Sequence, residues 1–585
     1  MRSLATPLCC TMLVLSLAAC SRAPQSPPAA APAAGAQAPS FYGTLEPIAA
    51  TPVYFVVTDR FVNGDATNDH RDQGGAHPTW DLPLRNEDGS PALGPDGTGD
   101  HLGYLGGDFK GVLDHADYIR GMGFGAVWIT PIVDNPDQAF TGGQRPTRTS
   151  FLTDQGKSGY HGYWGVNFWR LDEHLPSEGL DFRAFTAGLK AHGLDVVLDV
   201  VANHGSPAYT MPQVQPGFGQ LFDADGQLVA DHHNLPPAQL DPEGNPLHAY
   251  YRAVPDLAQL SDFDHTRPAV MDYLVGSTLQ WLDQGAAALR LDTMKHVPFT
   301  AWAEYTQRVR ARHPGLFMFG EVFVPEDERD PMGALAKYTL PENGGVSVLD
   351  FPQMRAMVRA FGRERAGFDA LAPWLALDGG PYANAYALMT FYDNHDVRRL
   401  DADDTGFIDA HHWLFTTRGT PVVYYGSEIG FMRGLGEHQG NRNYFGAEGV
   451  ATARAHPIRV ALARIGAVRA RSIALQRGLM LPLELAGERA AFYRIYQHDG
   501  TSQVALVLLN KGDAPATFRI AEALQPGRWV PQLGGEPVEV ADGGAIEATV
   551  SMHGAQVFLL DAPVTHPALR ERAARLMGAR GVAPD

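Results

Sequence analysis

From residue 53 the chain alternates two kinds of segment. Short runs rich in β-branched and aromatic residues read as strands; longer stretches with apolar residues every three or four positions read as amphipathic helices. Eight runs qualify as strands: VYFVV (53–57), AVWIT (126–130), VVLDVV (196–201), AALRLD (287–292), LFMFGEV (316–322), VSVLDF (346–351), ALMTFY (387–392) and VVYYG (422–426). Between them FKGVLDHADYIRGMG (109–123), FRAFTAGLKAHG (182–193) and RPAVMDYLVGSTLQWLDQG (267–285) carry helical periodicity, and each ends in a glycine, a common helix stop. Near-continuous apolar strands alternating with helices predict a parallel sheet covered by helices. Eight such units predict an α/β protein, a closed (β/α)8 TIM barrel. No GxGxxG follows the first strand, so a dinucleotide-binding sheet has no support.

Two stretches break this rhythm. After VVLDVVANH (196–204) a long segment rich in Pro, Gly, Gln and Asp precedes the next helix. Loops of that length are usually functional or form a small subdomain. The pattern therefore predicts an inserted domain B over about residues 205–257, at the C-terminal end of the third strand, where such barrels carry their sites. After residue 477 strand-like runs recur at short spacing with Gly/Asp turns, among them AAFYRIYQ (490–497), SQVALVLLN (502–510), ATFRI (516–520), AIEATV (545–550) and AQVFLL (555–560). They predict a C-terminal antiparallel β-sandwich over 478–562, after a barrel domain of 46–477. Residues 563–585 read as a solvated tail.

A chain of 585 residues is too long for one core. Its formal net charge of −19 disfavours nucleic acid as a partner and leaves carboxylates to spare for a hard cation. Oligomeric state is not legible. Arg2 precedes an apolar stretch ending in LSLAAC (15–20), too short to span a membrane and placed like a secretory signal of residues 1–20. LAAC resembles a bacterial lipoprotein box, which would make Cys20 the lipidated first residue of an exported, envelope-anchored protein, with the Pro/Ala-rich residues 21–45 as tether. All three cysteines (Cys9, Cys10, Cys20) lie in that segment, so the body has none to form a disulfide. No other stretch is long and apolar enough to span a membrane, so membrane association is expected through this anchor alone.

The chemistry gathers where strands end. The third ends at Asp199, Asn203 and His204, and the fourth at Arg290 and Asp292, then Lys295 and His296. The fifth ends at Glu321, and the seventh at Asp393, His395 and Asp396. A closed barrel brings these ends to one mouth. In ALRLDTMKHV (288–297) the period of two puts Ala288, Arg290 and Asp292 on one face, a pairing that burial tolerates only when charges are matched. Acids converging with one cation suit glycosidic bond cleavage, where one ionised carboxylate attacks the sugar carbon and one protonated acid serves the leaving oxygen. Arg290 is expected to hold Asp292 ionised. Burial near two anions is expected to push Glu321 up, so that the three carboxyls titrate as a coupled set.

These segments resemble the α-amylase family, glycoside hydrolase family 13. DVVANH (199–204), LRLDTMKH (289–296), FGEVF (319–323) and FYDNHD (391–396) are similar to its four signature regions, GTPVVYYGSE (419–428) to its eighth-strand segment, and PDLAQL (255–260) to the motif closing domain B. YHGYW (160–164) and VTDRF (57–61) are similar to the bacterial amylase and cyclodextrin glucanotransferase branch. The resemblance covers about residues 50–562. It implies an α-glucan hydrolase acting on α-1,4 bonds of starch or maltodextrin, with Asp292 as nucleophile, Glu321 as general acid/base and Asp396 as third acid. It implies Tyr163 stacked on the sugar with His161 in the same motif, His204, His395 and Arg290 on its hydroxyls, Lys295 and His296 on the next sugar, and Phe323 on a further one. Cyclomaltodextrinase or glucanotransferase action on the same fold is the alternative, and a disabled glycan-binding lipoprotein a remoter one, set against by the presence of all three acids. Against ring formation, Val254 and Pro255 stand where ring-forming relatives usually carry an aromatic.

The resemblance also implies Ca2+. NGDATND (63–69) offers Asn63, Asp65, Asn68 and Asp69, completed by Gly106 and Asp108; without the terminal Glu of a twelve-residue loop it is not an EF-hand. A second family site would use Asn203 and an acid in PDLAQL, where this chain has Gln259.

Overall fold

The computed structural model describes residues 39–79, 102–146, 154–378, 380–437 and 440–580. Eight strands form the barrel: β1 (Val53–Val56), β2 (Ala126–Ile129), β3 (Asp195–Val200), β4 (Ala288–Leu291), β5 (Phe317–Gly320), β6 (Ser347–Val348), β7 (Met389–Thr390) and β8 (Thr420–Tyr424). All pairings are parallel, in the order β6-β5-β4-β3-β2-β1-β8-β7, and a parallel bridge from Leu349 to Met389 closes the ring. β1, β2, β4 and β8 are buried on both faces, which is why they read as unbroken apolar runs. Helices α1 (Phe182–Ala191), α2 (Pro268–Leu282), α3 (Phe299–Arg312), α4 (Phe351–Phe361), α5 (Asp404–Thr416) and α6 (Pro457–Arg471) cover the outside. Several begin on a carboxylate that accepts a free backbone N–H of the first turn: Asp181 from Ala184, Asp350 from Gln353 and Asp403 from Gly406.

Two excursions leave the barrel on the side where strands end. One follows β3, where His204–Pro207 pairs antiparallel with Leu260–Asp262 and Gln220–Phe222 with Leu228–Asp231. The other follows β2, where Val133–Asp134 pairs with Asn167–Leu171; the sequence pattern did not signal it, because its strands are too short to show a period. Together they wall the barrel mouth.

Beyond the barrel lie β9 (Leu479–Ala486), β10 (Arg489–His498), β11 (Thr501–Asn510), β12 (Ala516–Ile520), β13 (Gly527–Pro531), β14 (Val538–Val540), β15 (Ile546–Val550) and β16 (Gly554–Leu560). They make an antiparallel sheet β9-β10-β11-β16-β13-β14 and a β12-β15 pair. A buried arginine of β10 joins it to the end of the barrel opposite the mouth: Arg494 donates to the carbonyls of Thr416, at the end of α5, and Gly478 (2.7 and 3.0 Å). Within the barrel, Arg469 of α6 ties the carbonyls of Ala49 and Gly419 together (3.0 and 2.9 Å).

Two terminal expectations are corrected. Residues expected as free tether up to 45 are already packed at Phe41, whose backbone exchanges two 2.7 Å hydrogen bonds with Gln497. The expected solvated tail holds a helix, α7 (Pro567–Ala579), in which Leu569, Ala573 and Met577 are fully buried. Their spacing of four gives one apolar stripe, and Arg580 closes the helix onto the carbonyl of Tyr42 at 2.8 Å. The signal peptide, Cys20 and most of the tether lie outside the described residues. No helix among the described residues is long and apolar enough to cross a membrane.

Since α7 is a packed element, Leu569→Ala is expected to lower unfolding stability by about 2–5 kcal/mol, read from the denaturant midpoint. An unchanged midpoint would return the segment to solvent.

Candidate active site

Strand register builds the centre of the site. Arg290 of β4 lies directly opposite Asp199 of β3, and neighbours in register on parallel strands project to the same face. Arg290 Nη1 donates to Asp199 Oδ1 at 2.8 Å and to Asp292 Oδ1 at 2.5 Å. Nη2 lies 2.9 Å from Glu321 Oε2, an ion pair whose angle falls short of a hydrogen bond, and 3.9 Å from Asp396 Oδ2. One guanidinium with no exposed surface thus touches or faces four carboxyls from four strand ends.

The four are not equivalent. Asp199 also accepts the Tyr163 hydroxyl at 2.8 Å and Trp128 Nε1 at 3.0 Å, so its oxygens are engaged in fixing Arg290 and Tyr163. Burial raises it to about 7 against the pull of Arg290. Burial also pushes Glu321 well above the usual carboxylate range; Arg290 opposes this, and the charges of Asp396 and Asp292 add to it. Its Oε2 accepts the N–H of Thr293 at 3.3 Å. Thr293 reaches this position with φ 46°, a left-handed backbone costly for a β-branched residue and placed directly after Asp292.

Asp396 is held from two sides. Arg442 Nη2 donates to its Oδ1 at 2.7 Å, and His395 Nε2 lies 3.3 Å from its Oδ2. Arg442 also donates from Nε to the His395 carbonyl at 2.9 Å and pairs with Glu437 at 2.8 Å. The His395 ring stacks on Tyr163 with centroids 5.3 Å apart, and His161 Nδ1 accepts the Tyr163 N–H at 3.1 Å. Burial, seconded by the Arg442 charge, depresses both histidines well below their ordinary value, so each is neutral near pH 7. His204, buried and lowered to about 4, faces Asp292 and the Tyr163 backbone.

The structure therefore brings together Asp292, Glu321, Asp396, Arg290, Tyr163, His161, His204 and His395. Lys295 is exposed and outside this network. His296 is half-buried with Nδ1 3.2 Å from Asp256 Oδ1, and Phe323 is 47% exposed with its ring edge-on to Phe351. Val254, at 69% exposure, leaves its position open. Sequence reasoning missed Arg442, which no local pattern marks as a site residue, and Trp128, which sits in the apolar run AVWIT (126–130).

The expected cation ligands also converge. Asp108 accepts the N–H groups of Gly64, Asp65 and Gly111 (3.1, 2.8 and 2.6 Å), and Asn63 Nδ2 donates to Asp69 Oδ1 at 2.7 Å. A side chain at Gly106 would place its Cβ 2.2 Å from Asn63 Nδ2 and 2.7 Å from Asp69 Oδ1, so only bare backbone fits. Asn68 Oδ1 is buried with no hydrogen-bond partner among the described residues, and burial raises Asp108 to about 6. Such a cradle of oxygens with one orphaned acceptor fits a hard cation. Asp65 is the outlier: its Oδ1 caps its own turn, accepting from Thr67 N at 3.0 Å and Thr67 Oγ1 at 2.6 Å. Asn203 does not fit a second calcium site. Its Oδ1 accepts Arg252 Nη2 at 3.2 Å, and Gln259 is turned to Thr210 Oγ1 at 2.7 Å.

A family model described as "Alpha amylase, catalytic domain" matches residues 55–215 and 244–445. Among curated proteins, the cyclomaltodextrin glucanotransferase of Geobacillus stearothermophilus is 27% identical over 519 residues, covering 85% of this chain and 65% of that protein. That of Niallia circulans is 28% identical over 513 residues, covering 83% and 67%. The chain thus spans about 65% of the length of such relatives. A solved cyclomaltodextrin glucanotransferase with a three-domain ABC distribution matches with TM-score 0.69 and 27% identity over 88% of this chain and 99% of its own. An Anoxybacillus α-amylase matches with TM-score 0.66 and 24% identity over 88% and 99%, a likeness of fold.

The raised Glu321 has a sign that can be tested. Its folded value lies above the ordinary 4.5, so its share of stability is complete below that value and is lost as pH rises through the folded one. Glu321→Gln cannot titrate. Relative to it, the parent protein is expected to lose stability steadily above pH 4.5. Denaturant midpoints of the two, compared across pH, check this, and parallel curves would contradict it.

Proposed function

The chain belongs to the α-amylase family, and from that premise we propose that it is a retaining α-glucan hydrolase cleaving α-1,4 bonds of starch or maltodextrin. The observation that carries this reading is the single buried guanidinium of Arg290 in contact with Asp292 and Glu321, which sets both carboxyls against one small volume. Asp292 attacks the anomeric carbon and becomes the glycosyl ester, while Glu321 gives its proton to the departing glycosidic oxygen. Glu321 then removes a proton from water, which attacks the same carbon and frees Asp292. Asp396, oriented by Arg442 and His395, receives hydroxyls of the distorting sugar, and Tyr163 offers its ring face to the sugar's C–H surface. A protonated Glu321 at neutral pH is what the first step requires.

A second reading, transglycosylation, is favoured by two observations: the curated relatives named above are glucanotransferases, and Phe323 is an exposed aromatic on the β5 loop. Val254 and Pro255 favour hydrolysis, since no aromatic stands there to hold an acceptor chain in place of water.

Calcium is proposed at the loop after β1, held by Asn63, Asn68, Asp69 and Asp108 with the Gly106 backbone. When bound it supplies positive charge to a carboxylate-rich turn. The chain's own contribution is the rigid cradle, which joins residues 63–69 to the 106–111 turn through the Asp108 hydrogen bonds. Export with a lipid on Cys20 is proposed on the LAAC motif, and Cys20→Ser is expected to release the protein from membranes.

Asp292→Asn is expected to lower reducing-sugar release from maltodextrin by at least about 10³-fold, with the α-anomer as first product of the parent by NMR. Equal rates would remove the mechanism, and cyclic glucans as the main early product from starch would replace hydrolysis by transfer. A chelator is expected to lower the melting temperature and added Ca2+ to restore it. No shift, with Asn68→Ala also insensitive, would retire the cation.

A further inference from the structure

Arg252 lies in the excursion after β3, with its side chain 26% exposed. Nη2 donates to Asn203 Oδ1 at 3.2 Å and to Asp256 Oδ2 at 2.8 Å. The other oxygen of Asp256, Oδ1, lies 3.2 Å from His296 Nδ1. Asp262 completes a ring: its Oδ2 accepts the N–H groups of Asp256 and Leu257 at 2.9 and 3.3 Å, and its Oδ1 accepts Asn203 Nδ2 at 3.3 Å. Asn203 is fully buried just beyond β3, and His296 ends the short turn Met294–His296 that follows Asp292. A chain of polar contacts thus runs from the barrel through the excursion wall to a ring four residues from Asp292.

The alternative is an ordinary surface ion pair, worth about 0–1 kcal/mol. Such a pair has no reason to involve a buried amide on one side and an imidazole on the other. A carboxylate accepts only, so Nδ1 of His296 must carry the proton in this contact, which fixes the ring and leaves Nε2 as the nitrogen free for a ligand.

We propose that Arg252 and Asp256 are positioning residues for the acceptor side of the cleft: together they hold His296 at the angle at which Nε2 meets the sugar beyond the cleaved bond. The cross-link between barrel and excursion is made by a guanidinium belonging to the chain, so the geometry of this part of the cleft is independent of free metal. This rests on the reading of His296 as a sugar ligand.

The test is a double-mutant cycle in the full-length protein, with Arg252→Ala, His296→Ala and the pair, on two substrates. One is maltohexaose, which fills the acceptor side; the other is a maltooligosaccharide aryl glycoside, whose chromophore leaves it without a sugar. Arg252→Ala is expected to lower kcat/KM on maltohexaose about 10- to 100-fold. It should leave the aryl glycoside within about twofold and add little once His296 is Ala. Millimolar guanidinium should recover part of the loss in Arg252→Ala and none in Arg252→Ala/His296→Ala. Asp256→Asn, which keeps the side-chain size, should repeat the substrate split should the arginine variant fold poorly. Additive losses, or equal losses on both substrates, would overturn the positioning role. A parent protein that turns over neither substrate would instead overturn the hydrolase reading beneath it.

Discussion

The barrel mouth is organised by a shortage of positive charge. Four carboxyls, Asp199, Asp292, Glu321 and Asp396, are gathered around Arg290, and among the described residues the one other Arg or Lys in contact with them is Arg442, which is shared with Glu437. An unpaired buried carboxylate costs several kcal/mol, and a buried cation repays that only for the partners it directly touches. Two guanidinium groups cannot neutralise four acids. The surplus is relieved by holding protons: burial raises Asp199 to about 7, and burial together with the charges of Asp396 and Asp292 pushes Glu321 well above its ordinary range. An acid whose proton is held well above the usual carboxylate range, beside one oriented by the same arginine, is the asymmetry glycosidic cleavage needs, and here it follows from counting charges in a closed space.

The barrel makes that space because parallel strands end together. Each acid comes from a different strand end, yet register alone sets Arg290 beside Asp199, and a one-residue slip would turn Arg290 outward among the covering helices. Around this fixed floor the walls come from irregular chain. Tyr163 and His161 arrive on the excursion after β2, and Arg252 and Asp256 on the excursion after β3. The strained Thr293 sits where floor meets wall: a left-handed residue there sends the chain away from Asp292 while aiming its N–H at Glu321.

What was legible in the sequence is what strand geometry fixes. The spacing of two between Arg290 and Asp292, and the repeated placing of acids at strand ends, suffice to bring four segments to one mouth. The Glu321 shift followed from the same convergence. What was not legible depends on chain returning from far away. Arg442 reaches Asp396 from a loop beyond β8, and nothing local marks it as an active-site cation. The ribbon of 133–134 with 167–171 is too short to print a period. The stripe Leu569, Ala573, Met577 was readable, but arginines on the other faces of α7 made the segment look solvated.

The cradle after β1 and the Arg252 cross-link differ in a way that bears on how the protein responds to its surroundings. Residues 63–69 and 106–108 offer oxygens and an orphaned amide acceptor, with the largely exposed Arg71 on Asp69 Oδ2 at 3.3 Å at their edge, so a free cation that tightens them acts by mass action and is lost on dilution. Asn203, which offers the same amide oxygen, already has a cation on it in Arg252, tethered at effectively constant concentration by its own backbone. A guanidinium is directional where calcium is not: its planar donors fix the angle of Asp256 and through it the ring of His296. An oxygen cradle can therefore vary in occupancy without disturbing the acceptor side of the cleft, because the contact that shapes that side is covalently part of the wall.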